Sequence, residues 1–165
     1  MAMCESHRPI DVIASSQGTQ VSSYDRPMSG RTRVRLGRMV EDGVAPSIFG
    51  LVERGVARDP ELAGRMRGRV VFRFAEDFSP VRIHFRPRSV VVEDGDSRKP
   101  DLTIEGRLPD IVHFATVPTL RGRLHGVPDP RQPRGRRALR RLANGRVRVD
   151  GDRVLARRLM RLLAV

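Results

Sequence analysis

Apolar residues change their spacing repeatedly along this chain, and each change marks an element. From Ala45 to Arg67 they recur at helical intervals: Ile48, Leu51, Val52 and Val56, then Leu62 and Met66. Asp59-Pro60-Glu61 supplies an N-cap, a proline for the first helical position and an acidic first turn, so this stretch reads as two consecutive helices. The period then drops to two. Val70, Phe72 and Phe74 share one face of a strand over 69–75, and Val81, Ile83 and Phe85 oppose Arg82, His84 and Arg86 over 80–86. A third run covers 89–93, and a fourth, over 101–105, sets Leu102 and Ile104 against Thr103 and Glu105. Strands this close together are most simply a meander with a dry and a wet face.

Arg107-Leu108-Pro109-Asp110 opens a short helix carrying Ile111, Val112, Phe114 and Ala115. Pro118, Pro128, Pro130 and Pro133 make residues 117–134 a Pro-rich loop or flap, because proline disrupts both helix and central strand. A short helix follows over about 135–143, ended by the turn Asn144-Gly145. Arg146-Val147-Arg148-Val149 is a fifth strand, Asp150-Gly151-Asp152 turns and caps, and a terminal helix spans 153–163. At roughly 100° per residue, Leu155, Ala156, Leu159, Met160, Leu162 and Leu163 fall in an arc about 160° wide. Arg153, Arg157, Arg158 and Arg161 lie outside it, with Val154 the misfit. An arc that wide is built for burial.

A length of 165 residues suffices for one domain with a real core. Residues 1–35, rich in Ser, Gly, Arg and Gln without a sustained period, read as a disordered or weakly ordered tail. No apolar run reaches the length of a membrane-spanning helix or a secretory signal, so the expected location is cytoplasmic. Cys4 is the single cysteine, which excludes an intramolecular disulfide and a thiolate metal cluster. His113 and His125 have no acidic or Cys partner at metal spacing, and His84 stands among arginines. Glu76-Asp77 and Glu93-Asp94-Asp96 read as solvated turn residues. With no nucleophile elbow, phosphate loop or zinc-protease helix, the expectation is a non-enzyme without a cofactor.

Two stretches together resemble the sterol carrier protein 2 (SCP2)-like domains. Gly145, Arg146, Val147, Arg148 and Val149, then Gly151-Asp152 and Leu155-Ala156 with Arg158-Leu159, are similar to that family's last strand, turn and helix. Pro100-Asp101-Leu102-Thr103-Ile104-Glu105-Gly106 followed by Asp110-Ile111 looks like its fourth strand and next helix. The order of elements agrees from about Gly43 to Val165, and the Pro-rich segment departs from the family's compact connection. The resemblance implies an α+β domain over 43–165: a five-stranded mixed, mainly antiparallel sheet with helices packed on one face. It also implies an apolar tunnel between the layers that takes a lipid or another hydrophobic ligand. Phe72, Phe74, Ile83, Phe85 and Ile104 would line it from the sheet, whose dry face also carries Val70, Leu102, Val147 and Val149. Phe49, Val52, Ile111, Phe114, Leu155, Leu159 and Leu162 would line it from the helices. The alternative is an accessory module with a filled core in a larger assembly, such as one for quinone-lipid biosynthesis.

The charge adds a partner. The formal net charge is +13, and 31 of the 32 basic residues are Arg. Residues 1–120 carry a net +2, whereas 121–165 carry 14 Arg against three Asp, a net +11. Arg134, Arg136, Arg137, Arg140 and Arg141 form a cluster suited to docking on an anionic membrane surface. Nucleic acid is the weaker match: Phe residues fall mostly at inward positions, leaving Tyr24 and no Trp for base stacking. The protein partner, if any, is not legible.

Overall fold

The computed structural model describes residues 32–120 and 126–164. Its strands are β1 Arg33–Leu36, β2 Gly68–Phe74, β3 Val81–Arg86, β4 Ser89–Asp94, β5 Leu102–Gly106 and β6 Val147–Gly151. The helices are α1 Ala45–Arg58, α2 Pro60–Arg65, α3 Leu108–Ala115, α4 Pro133–Ala143 and α5 Arg153–Leu163. The α+β class stands, but the sheet has six strands rather than five, in the order β1-β4-β3-β2-β5-β6. The additional strand, β1, falls in the segment read as a weakly ordered tail. It pairs parallel to β4, with Val34 beside Val90.

Only β2, β3 and β4 form a meander. β5 crosses back and pairs parallel to β2 on its far side, and β6 closes the sheet antiparallel to β5. The alternation of apolar residues set which face each strand shows, not which neighbour it takes. The crossover after β4 runs over the outer face. Arg73 and Arg82, both outward-pointing, hold Asp96 there: Arg73 Nη2 lies 3.2 Å from Asp96 Oδ2, and Arg82 Nη1 donates to the Asp96 carbonyl at 3.1 Å. Beneath this strap Val71, an outer-face residue, has no exposed surface, and Ser97 is buried. The outer face is therefore only partly wet.

The inner face is continuous. Val70 pairs with Ile83 and Leu102, Phe72 with Val81 and Ile104, and Ile83 with Val92. Helices α1, α3 and α5 cover this face, and all join one buried apolar cluster with it. Asp59 caps α2 by accepting from the Leu62 N–H at 3.0 Å, and Asp152 caps α5 from the Val154 and Leu155 N–H groups. Val154 is 55% exposed, as its place outside the apolar arc requires. Val149 points inward opposite Ile104 but stays 37% exposed, because β6 is an edge strand that the helices only partly cover.

The segment after α3 has more order than a loop. Thr119 bridges to Pro128, and the Leu120 N–H and Asp129 N–H groups donate to the Val127 and Pro118 carbonyls at 2.8 and 3.0 Å. Gly126, with φ of +81°, lies so close to α5 that a Cβ there would collide with the Arg157 carbonyl oxygen. Residues 118–120 thus pair with 127–129, and Gly126 is seated on α5.

Candidate functional site

The residues expected to line a tunnel meet in one place. From the sheet come Phe72, Ile83, Phe85 and Ile104; Val52 comes from α1, Ile111 and Phe114 from α3, and Leu155, Leu159 and Leu162 from α5. All ten are at most 4% exposed. Phe49 and Phe74 are half-buried and pack at the margin of this cluster. Phe74 meets Phe78 edge-on, with ring centroids 6.3 Å apart. Its position at the end of β2, past the last residue pairing with β3, is what leaves it at the rim.

Around four of these described residues the interior is closed. Val52, Ile83, Leu159 and Leu162 have no accessible surface, so they border no void that would admit a water molecule. A ligand between the layers therefore has to displace something. The thinnest cover is α3: eight residues long, it presses Ile111, Phe114 and Ala115 onto β5, β6 and α5. It lies between Gly106, whose φ is +157°, and the paired residues 118–120. By contrast, α1 and α5 are locked together. A Cβ on Gly55 would strike the Leu162 carbonyl oxygen, the same oxygen accepts from Arg58 Nη2 at 2.6 Å, and Arg161 pairs with Asp59 at 2.8 Å.

Of the acidic residues read as solvated, Asp77 and Asp96 are exposed, whereas Asp94, Glu93 and Glu76 have structural roles. Asp94 is 4% exposed and accepts from the Val40 and Ala45 N–H groups. Glu93 pairs with Arg82 at 2.7 Å, and Glu76 accepts from the Leu108 N–H at 3.0 Å, at the start of α3. The sequence offered no signal for these roles, since each partner is distant along the chain. Among the described residues no three His, Cys, Asp or Glu side chains are grouped to hold a metal ion, and no helix is long and apolar enough to cross a membrane. Cys4 and His125 lie outside the described residues.

The arginine cluster divides between two surroundings. Arg134, Arg136, Arg137 and Arg140 are exposed along α4, whereas Arg141 turns inward, its Nε 2.6 Å from Asp110 Oδ1. His113, on α3 beneath them, is held below the usual imidazole range by burial first and then by the charges of Arg141, Arg134 and Arg137. His84 on the outer sheet face is likewise lowered, by burial and then by Arg86, Arg69 and Arg82.

No family model matches the sequence, and no curated protein matches it. Solved structures do. A UbiJ-SCP2 ubiquinone synthesis protein superposes with a TM-score of 0.52 at 16% identity, covering 73% of this chain and 92% of that one. The sterol carrier protein domain 2 of Helicoverpa armigera matches with a TM-score of 0.48 at 20% identity, covering 74% and 87%. A palmitated SCP2L2 from Aedes aegypti matches with 0.44 at 17% identity, covering 73% and 94%. The fold is SCP2-like, as the closing strand, turn and helix implied.

Proposed function

We propose that this protein binds a lipid or similar hydrophobic ligand, without chemistry, between the inner face of the sheet and its helices. The observation that carries this reading is the single continuous apolar cluster shared by sheet and helix layer in an SCP2-like fold. Entry occurs by displacement of α3, the shortest of the three covering helices, which uncovers β5 and α5. Burying about sixteen acyl carbons at about 0.8 kcal/mol each contributes on the order of 12 kcal/mol. Association costs of at least ~4 kcal/mol leave about 8 kcal/mol, micromolar affinity at best, and the cost of moving α3 weakens binding from there. The basic side formed by α4 suits exchange of the ligand at an anionic membrane surface.

Titration with a fluorescent fatty acid tests the reading. Saturable binding is expected, lost in Phe114→Trp while cooperative unfolding is retained. Absence of saturable binding of fatty acid, sterol and quinone analogues alike would contradict it.

The second reading is an accessory module with a permanently filled core in a quinone-lipid assembly. The closed packing around Leu159 and Leu162 favours it, as does the likeness to a ubiquinone synthesis protein. A core that stays closed in the presence of every lipid class would select this alternative.

A further inference from the structure

Where α4 ends and β6 begins, Arg137, Arg140, Arg141, Asn144 and Arg146 surround a concave cleft of about 250 Å³. Four guanidinium groups and a side-chain amide line it, and among the described residues no carboxylate does. Arg137, Arg140 and Arg141 are brought together by helical spacing, three and four residues apart. Arg146 joins them because the chain reverses at Gly145, with φ of +67°, and the Arg146 N–H donates back to the Arg141 carbonyl at 2.9 Å. The helix C-terminus accounts for cations at Arg140 and Arg141. It does not account for Arg137, a turn earlier, or for Arg146, beyond the helix.

The counter-charge is incomplete. Asp110 meets Arg141 from below at an angle that makes an ion pair but no hydrogen bond. Arg141 Nη1 is buried with no hydrogen-bond partner among the described residues, so the donors open to the cleft are those of the exposed Arg137, Arg140 and Arg146. Self-repulsion among these groups falls when an oxyanion enters, and guanidinium forks match the oxygens of a phosphate better than a single carboxylate.

We propose that this cleft is a binding site for a phosphate or diphosphate group, either on a lipid headgroup or free in solution. The proposal deepens the docking of α4 on an anionic surface by naming the group that is held. It does not depend on the apolar interior, because a soluble diphosphate has no tail.

The test is calorimetric titration of the full chain with inorganic pyrophosphate at low ionic strength, alongside sedimentation with phosphatidate and phosphatidylcholine vesicles. The variant is Arg137→Gln with Arg146→Gln. The control, Arg153→Gln with Arg157→Gln, removes equal charge from the exposed side of α5. Saturable pyrophosphate binding is expected, weakened about tenfold or more by the cleft variant and about twofold or less by the control. Binding to phosphatidate vesicles alone, with the same dependence on Arg137 and Arg146, would support the site with a lipid headgroup as its source. Equal loss in both variants, or binding of neither probe, would overturn the proposal.

Discussion

Asp94 at the end of β4 caps a helix that begins 49 residues earlier in the chain: its Oδ1 accepts from the Ala45 N–H at 3.1 Å. Oδ2 accepts from the Val40 N–H, also at 3.1 Å. Val44, which precedes α1, provides no side-chain cap, so the sheet supplies what the local sequence lacks. Gly43 makes room for this carboxylate, since a Cβ there would overlap Asp94 Oδ2. One buried side chain thus ties the helix layer to the sheet.

Asp94→Ala leaves two N–H groups without that partner. It is expected to cost about 2–3 kcal/mol, with Asp94→Asn costing roughly half because one acceptor remains. Urea unfolding reads this directly, and a loss below about 0.5 kcal/mol would show that the cap is not structural.

The flap gives a second prediction. Gly126→Ala meets both a positive φ and the Arg157 carbonyl oxygen, so it should lift the chain at this point from α5 at a cost of about 1–3 kcal/mol. Amide exchange at Leu120 and Asp129, which donate the hydrogen bonds between 118–120 and 127–129, should accelerate while the β2 amides remain protected. Uniform acceleration across both would mean that the flap unfolds only with the whole domain.

The histidines set a pH dependence. His113 and His84 both have folded-state pKa values lowered by burial and neighbouring arginines, so the unfolded chain binds their protons first as pH falls. Stability is therefore full above the unfolded imidazole value of about 6.5 and declines as pH falls from there toward the folded values. His84→Asn with His113→Asn should flatten the decline in urea midpoint between about pH 7 and 5 relative to the native chain. An unchanged slope would assign the acid sensitivity to carboxylates instead.

Most elements were legible because their signals are local. The alternation Val70-Phe72 and Val81-Ile83-Phe85 gives an inner face in any pairing, and the Leu155-to-Leu163 arc gives a buried helix wherever it docks. β1 escaped notice because Arg33–Leu36 offers only Val34 and Leu36 as an alternating pair, too few to stand out in a polar segment. The crossover over Val71 and the cap at Asp94 are contacts between distant residues, which periodicity does not encode. For the site, hydrophobic spacing brought Phe72, Ile104, Phe114 and Leu159 into one cluster. Whether that cluster opens is set by packing at the scale of a methyl group, which a pattern of apolar positions does not carry.

The central claim is that the space between sheet and helices takes a hydrophobic ligand, and native mass spectrometry of freshly purified protein, with and without added palmitate or a prenylquinone analogue, tests it most directly. The account predicts a discrete lipid adduct at a ratio of one per chain, released on denaturation and diminished in Phe114→Trp. A bare protein mass under every condition, from a chain that remains folded, would contradict it and leave the filled accessory module.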